Sequence, residues 1–173
     1  GLLRLIQKEW CSFGHRFRTR LGLGEVPSGE YSPVFIQWLD CVYQLFRQFP
    51  TAFEWTPSIL LRLATEALSN RYGTFLCDNE LERSEKVKPF ALSLWSILLK
   101  PDEASTWFNW DYAPTGKALI PSICQANYVI WDAYWFRYHV RGQQRSCPDA
   151  ANASTLPGLS QPRAAVPAAS VAP

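Results

Sequence analysis

The sequence predicts a predominantly α-helical segment followed by a disordered tail, and three observations carry that prediction. Apolar residues recur at three- and four-residue spacing through much of residues 1–140. Two of these stretches open on Ser32-Pro33 and Thr56-Pro57, where a hydroxyl can cap free amides and a proline ring needs no donor. From Gly142 onward Ala, Pro and Ser dominate and bulky apolar residues almost vanish, which leaves nothing to build a core. Residues 1–140 are therefore read as one packed unit and residues 141–173 as a tail; at 47% hydrophobic and 14% aromatic, the chain has ample material for one core.

The first helix is expected over residues 1–20, with Leu2, Leu5, Ile6 and Trp10 on one face. It breaks in the Gly-rich "LGLGEVPSGEY", a surface loop. The second helix starts at Ser32-Pro33, buries Phe35, Trp38, Leu39, Val42, Leu45, Phe46 and Phe49, and stops ahead of Pro50 at about Gln48. The third starts at Thr56-Pro57, carries Ile59, Leu60, Leu63, Ala67 and Leu68 inward, and ends near Asn70. "RYGTFLCD" reads as a short extended or turn segment, residues 79–88 as a loop or weakly held helix, and residues 93–99 as a short apolar helix. Pro101, Pro114 and Gly116 predict irregular chain over 101–117. Ile120 to Val140 reads as an aromatic-rich helix carrying Tyr128, Trp131, Tyr134, Trp135 and Tyr138. Such a row can stack bases or sugars, but helical spacing favours core packing.

A net charge of +2 argues against a general nucleic-acid binder. The charge is uneven, however: Arg4, Lys8, Arg16, Arg18 and Arg20 face a lone Glu9 within residues 1–24, and the plainest reading of such a run is a solvated face. Five Cys without a C-x2-C pair, with Cys41 and Cys124 in apolar surroundings, predict a reducing compartment with no disulfide framework and no zinc site. His15 and His139 are far apart in sequence, so no metal or other cofactor is expected. The longest apolar run, Phe90 to Leu99, is about half of the roughly twenty residues a crossing helix needs. The chain begins with Gly, in mid-helix, and contains no Met, which predicts a piece of a longer protein.

Two strings fit C-x5-R, the pattern of a cysteine phosphatase's phosphate loop: "CVYQLFR" from Cys41 to Arg47 and "CDNELER" from Cys77 to Arg83. The chemistry needs more than those two ends. Successive amides must curl into a nest around the phosphate, which calls for small residues and glycine between the Cys and the Arg. "VYQLF" is bulky and belongs to a helix whose own amides are already bonded; Asp78, Glu80 and Glu82 would surround a dianion with negative charge and raise the thiol pKa. Neither string is read as catalytic.

Longer strings carry a resemblance. "LIQKEWCSFGHRFRTR" resembles "LIEKEWLSFGHRF" of the myotubularin family of phosphoinositide 3-phosphatases. "SPVFIQWLDCVYQLFRQFPTAFEW" is similar to that family's "SPVFLQWLDCVxQLxRQFPTAFEF", "YGTFLCDNELER" to its "FGTFLCNSExER", and "SLWSIL" to its "SLWSYI". The weaker "IWDAYWFRY" stands where the family has "LWVGYYIRW". There are departures: "LGLGE" replaces "xGHGD", putting Leu23 and Glu25 where a His and an Asp are usual, and Cys11 replaces a Leu.

The resemblance implies that the chain is the C-terminal part of a larger α/β phosphatase domain of the cysteine-dependent fold. The family's catalytic loop, "CSDGWDRT", lies upstream of the matched strings, so no catalytic residue is expected in this segment. It implies removal of the 3-phosphate from phosphatidylinositol 3-phosphate and 3,5-bisphosphate through a cysteinyl-phosphate, or else an inactive adaptor that pairs with an active relative. Arginines after "SFGH" help bind the inositol headgroup in that family, above all a phosphate at the 5-position; here they are Arg16 and Arg20. A spacing of four suits two-point recognition, while Arg18 points elsewhere and is expected to be solvated. The implied partners are a phosphoinositide headgroup at a membrane surface and other myotubularins in homo- or hetero-oligomers, with no nucleic acid. The implied location is cytoplasmic, peripherally on endosomal membranes.

Overall fold

The structure, a computed structural model, describes residues 1–25 and 29–138; the predicted tail from residue 141 lies outside the described residues. The described residues are predominantly helical, as the sequence predicts. Among them no strand forms, and a single antiparallel bridge joins Trp55 to Phe108.

The expected first helix is divided. α1 (Leu2–Ile6) passes into a π-helical turn over Gln7–Ser12, where the amides of Phe13 and His15 reach five residues back to the carbonyls of Lys8 and Trp10 at 3.1 and 2.9 Å. The wide turn takes in an extra residue and rotates the apolar face. Leu5, expected inside, is exposed, whereas Ile6 and Cys11 are buried. Gly14 then reverses the chain at φ 97°, a left-handed conformation that suits glycine, and α2 (Phe17–Arg20) follows.

α3 (Val34–Gln48) starts just after Pro33, without the expected Ser32 side-chain cap, and ends where Pro50 requires. Its buried stripe includes Phe35, Ile36, Leu39 and Val42. α4 (Pro57–Ser69) has its proline in the first turn, buries Ile59, Leu60, Leu63, Ala64 and Ala67, and stops at Asn70 in the left-handed region. α3 packs on α4, and an aromatic cluster joins α2, α3 and the 3-10 turn Gly73–Phe75. There the Phe17, Phe35 and Phe75 rings meet pairwise with centroids 5.0–5.2 Å apart, and all three are fully buried. α5 (Glu80–Lys86) is capped by the Asn79 side chain, which accepts from the Glu82 amide at 2.8 Å; α6 (Leu94–Leu98) is capped by Ser93.

Three sequence expectations are corrected. Residues 101–117 include α7 (Pro101–Trp107), because Pro101 in the first turn with Asp102 and Glu103 behind it is a start signal and not a breaker. The helix expected from Ile120 is reduced, within the described residues, to a 3-10 turn (Gln125–Asn127) and α8 (Asp132–Trp135). The cause is a ladder of side chains on α3. Gln48 accepts from the Ser122 amide at 2.7 Å, and Gln44 donates to the Val129 carbonyl at 2.7 Å. Asp40 accepts the Trp135 indole N–H at 2.9 Å. Backbone groups held in this way do not close a helix. Of the five aromatics, only Trp131 and Tyr134 are core; Tyr128, Trp135 and Tyr138 are exposed. Finally, Cys41 and Cys124 are exposed rather than set in apolar surroundings, while Cys11 and Cys77 are buried. No helix of the described residues is long and apolar enough to cross a membrane.

Candidate anion-binding site

The reversal at Gly14 brings the end of the π-helical turn against α2, and the two enclose an open hollow of about 360 Å³ lined by Glu9, Trp10, Phe13, Gly14, His15, Arg16 and Arg20. Arg16 and Arg20 therefore share one hollow. They do so across a single helical turn, not on the long helix expected: Arg16 is the residue preceding α2, and its carbonyl accepts the Arg20 amide at 2.8 Å. Arg16 Nη1 lies 2.7 Å from Glu30 Oε2, and Arg20 Nη1 donates to the Glu30 carbonyl at 3.0 Å. Phe13 is 84% exposed at the rim.

His15 forms the inner wall, edge-on to both Trp10 and Phe17 with centroids 4.8 and 4.7 Å apart. Burial, helped by the nearby Arg20 charge, pushes its pKa down, so the imidazole is neutral at pH 7 and the positive charge of the hollow belongs to the arginines. A second hollow, of about 390 Å³, runs between Leu2, Leu3, Trp55, Ile59, Trp95 and Trp107, with Arg4 and Glu54 also in its lining; its surface is mainly apolar.

The second C-x5-R string holds this site in place. Asp78 accepts the Thr19 amide at 2.9 Å and the Thr19 hydroxyl at 2.7 Å. Arg18 is exposed, as expected, and it also pairs with Glu82 at 3.1 Å and lies 3.6 Å from Asp78. α2 is thus pinned through Thr19 and Arg18, while Arg16 and Arg20 line the hollow. None of these partners was legible locally, since Asp78 is 59 positions from Thr19.

Burial alone would raise the Asp78 carboxyl, but the two bonds from Thr19 and the charges of Arg18 and Arg16 outweigh it, and its pKa lies below the ordinary range. A depressed carboxylate stabilises the fold above its unfolded pKa and ceases to do so as pH falls through the folded one. Asp78→Asn is expected to cost about 1–2 kcal/mol at pH 7. In paired thermal melts the gap between variant and wild type should close as acid protonates Asp78; a gap unchanged down to pH 2 would remove the ionised clamp.

The surroundings of both C-x5-R strings tell against a phosphate loop. Cys41 lies within α3, whose amides are engaged in the helix. Cys77 has its thiol pKa raised, by burial first and by Glu82 next, and Arg83 is bound to Glu80 at 2.6 Å.

Comparison with known proteins agrees with the strings noted above. A model of the myotubularin-like phosphatase domain matches residues 1–84. The chain is 38% identical over 143 residues to the phosphatidylinositol-3,5-bisphosphate 3-phosphatase mtm-1 of Caenorhabditis elegans, covering 79% of this chain and 24% of that protein. It is 38% identical over 150 residues to myotubularin of Xenopus tropicalis, covering 84% and 24%. A phosphatidylinositol-3,5-bisphosphate 3-phosphatase of Mus musculus is 38% identical over 145 residues, covering 82% and 22%. The chain thus spans roughly a quarter of the length of these relatives. With the family model matching residues 1–84 and these relatives 38% identical over about four fifths of the chain, the chain belongs to the myotubularin-like phosphatase family.

Proposed function

We propose that this chain is the C-terminal portion of a phosphatase domain of the α/β, cysteine-dependent kind, and that its parent removes the 3-phosphate from phosphatidylinositol 3-phosphate and 3,5-bisphosphate. Residues 1–140 form that portion and residues 141–173 a separate tail. Upstream of the segment, a Cys thiolate takes the phosphoryl group, backbone amides and an Arg stabilise its equatorial oxygens, and an Asp serves as general acid and then activates water. The segment supplies a packed helical wall, and from it Arg16 and Arg20 contact the inositol headgroup, above all a 5-phosphate. The parent works in the cytoplasm, peripherally on endosomal membranes, and pairs with other myotubularins.

One observation carries this reading: Arg16 and Arg20 converge on one open hollow, in a chain whose relatives are named as phosphatases of a bisphosphorylated lipid. Two guanidiniums a turn apart suit two-point binding of phosphate oxygens. Arg16→Ala with Arg20→Ala in the complete parent is expected to lower turnover of the 3,5-bisphosphate by about 10- to 100-fold, the scale of losing charge-assisted hydrogen bonds. Unchanged turnover would remove the arginines from the site. A wild-type parent that binds the lipid without hydrolysing it would be an adaptor instead.

A further inference from the structure

Glu30 covers both arginines at once. Its carboxylate Oε2 is 2.7 Å from Arg16 Nη1, and its own carbonyl oxygen accepts from Arg20 Nη1 at 3.0 Å. Two oxygen acceptors from one residue thus occupy Nη1 of each guanidinium, a donor for which a phosphate oxygen would compete. Building on the headgroup reading above, we infer that Glu30 is a competing internal anion that sets specificity: a headgroup phosphate reaching Arg16 and Arg20 must first displace it.

Three features make Glu30 displaceable without loss of the site. The Arg16 and Glu30 side chains are each 51% exposed, and an ion pair so wet exchanges readily with solvent. α2 keeps its place through other contacts, from Thr19 to Asp78 and from Arg18 to Glu82. The chain just beyond Glu30 is anchored separately, by the Ser32 amide on the Arg20 carbonyl at 3.0 Å, so movement of the carboxylate need not drag α3 with it. Arg16 also donates, through Nη2, to the Thr19 hydroxyl at 3.4 Å, which Asp78 already engages.

The consequence is selective. A ligand whose binding requires the closed pair to open has its dissociation constant multiplied by one plus the closing equilibrium constant. A headgroup without a phosphate at this position leaves the pair closed and is unaffected. Glu30 therefore narrows the gap between headgroups with and without a 5-phosphate, and neutralising it widens that gap.

Calorimetric titration of the full-length parent with two soluble headgroups, inositol 1,3,5-trisphosphate and inositol 1,3-bisphosphate, tests this. Glu30→Gln is expected to bind the trisphosphate about three-fold more tightly, the scale of releasing one exposed ion pair, with bisphosphate affinity unchanged. Glu30→Asp, which draws the carboxylate back by one methylene, should shift affinity in the same direction by less. If Glu30→Gln leaves trisphosphate affinity unchanged or weakens it, while Arg16→Ala with Arg20→Ala abolishes it, the competing role is wrong and the arginine site stands. Equal tightening for both headgroups would make Glu30 a general field and likewise overturn the selective role. If the arginine variant binds the trisphosphate as wild type does, the site reading falls and the inference with it.

Discussion

Phe17→Ala is expected to destabilise the fold by about 3–5 kcal/mol, as deletion of a fully buried aromatic ring does. Phe17 is 0% exposed, and its ring meets those of Phe35, Phe75 and His15. Trp10 and Trp38 pack beside Phe35 in turn, so the neighbours are large, rigid rings that cannot collapse into the vacated space. Against a typical total of about 5–15 kcal/mol the loss is a large fraction. The effect also reaches the candidate site, because Phe17 is the first residue of α2 and its ring fixes the turn carrying Arg16 and Arg20. Headgroup affinity should therefore fall even at temperatures where the variant stays folded. Phe17→Leu, which fills part of the space, should lose less on both counts. Urea unfolding with parallel titrations decides it: a cost below about 1 kcal/mol would mean that the core closes over the gap.

How much of this was legible in the sequence depended on the range over which each element is determined. α3 and α4 were, because each is long and periodic and has a proline at its start and a stop at its end. The slip into a π-helical turn at Gln7 was not, since it is one residue wide and leaves the apolar count of the window almost unchanged. Ile120 to Tyr138 reads as a helix by local spacing, but Asp40, Gln44 and Gln48 take its backbone and indole groups from some 74 to 95 positions away. Those three polar residues recur every four positions on α3, a stripe that could have signalled a bound segment. Within the candidate site, the spacing of Arg16 and Arg20 was visible, whereas Glu30, Asp78 and Glu82 were not. A carboxylate's partner is fixed by the fold and not by its neighbours in sequence, as Arg18 with Glu82, 64 positions apart, makes plain.

Arg83→Met should cost about 3 kcal/mol, near the lower end of what breaking a buried ion pair costs. Arg83 is 3% exposed; its Nε donates to the Leu76 carbonyl at 3.0 Å, and its Nη1 to the Cys11 carbonyl at 3.3 Å and to Glu80 at 2.6 Å. One side chain thus ties the π-helical turn, the segment before Cys77 and α5 together. Methionine keeps much of the volume but leaves both carbonyls without that donor. Glu80 still holds Lys88 at 2.7 Å and is a third exposed, which keeps the cost from reaching the upper end. A phosphate-loop arginine would behave in the opposite way: its loss would abolish turnover and spare the melt, and its cysteine would be indispensable. Here Arg83→Met should lower the melting temperature of the parent, while Cys77→Ser should leave turnover intact, since burial has already pushed that thiol away from the thiolate a nucleophile needs. Loss of turnover in Cys77→Ser with an unchanged melt would make "CDNELER" catalytic after all. A stability loss confined to Arg83→Met would fix it as the brace beneath the basic turn.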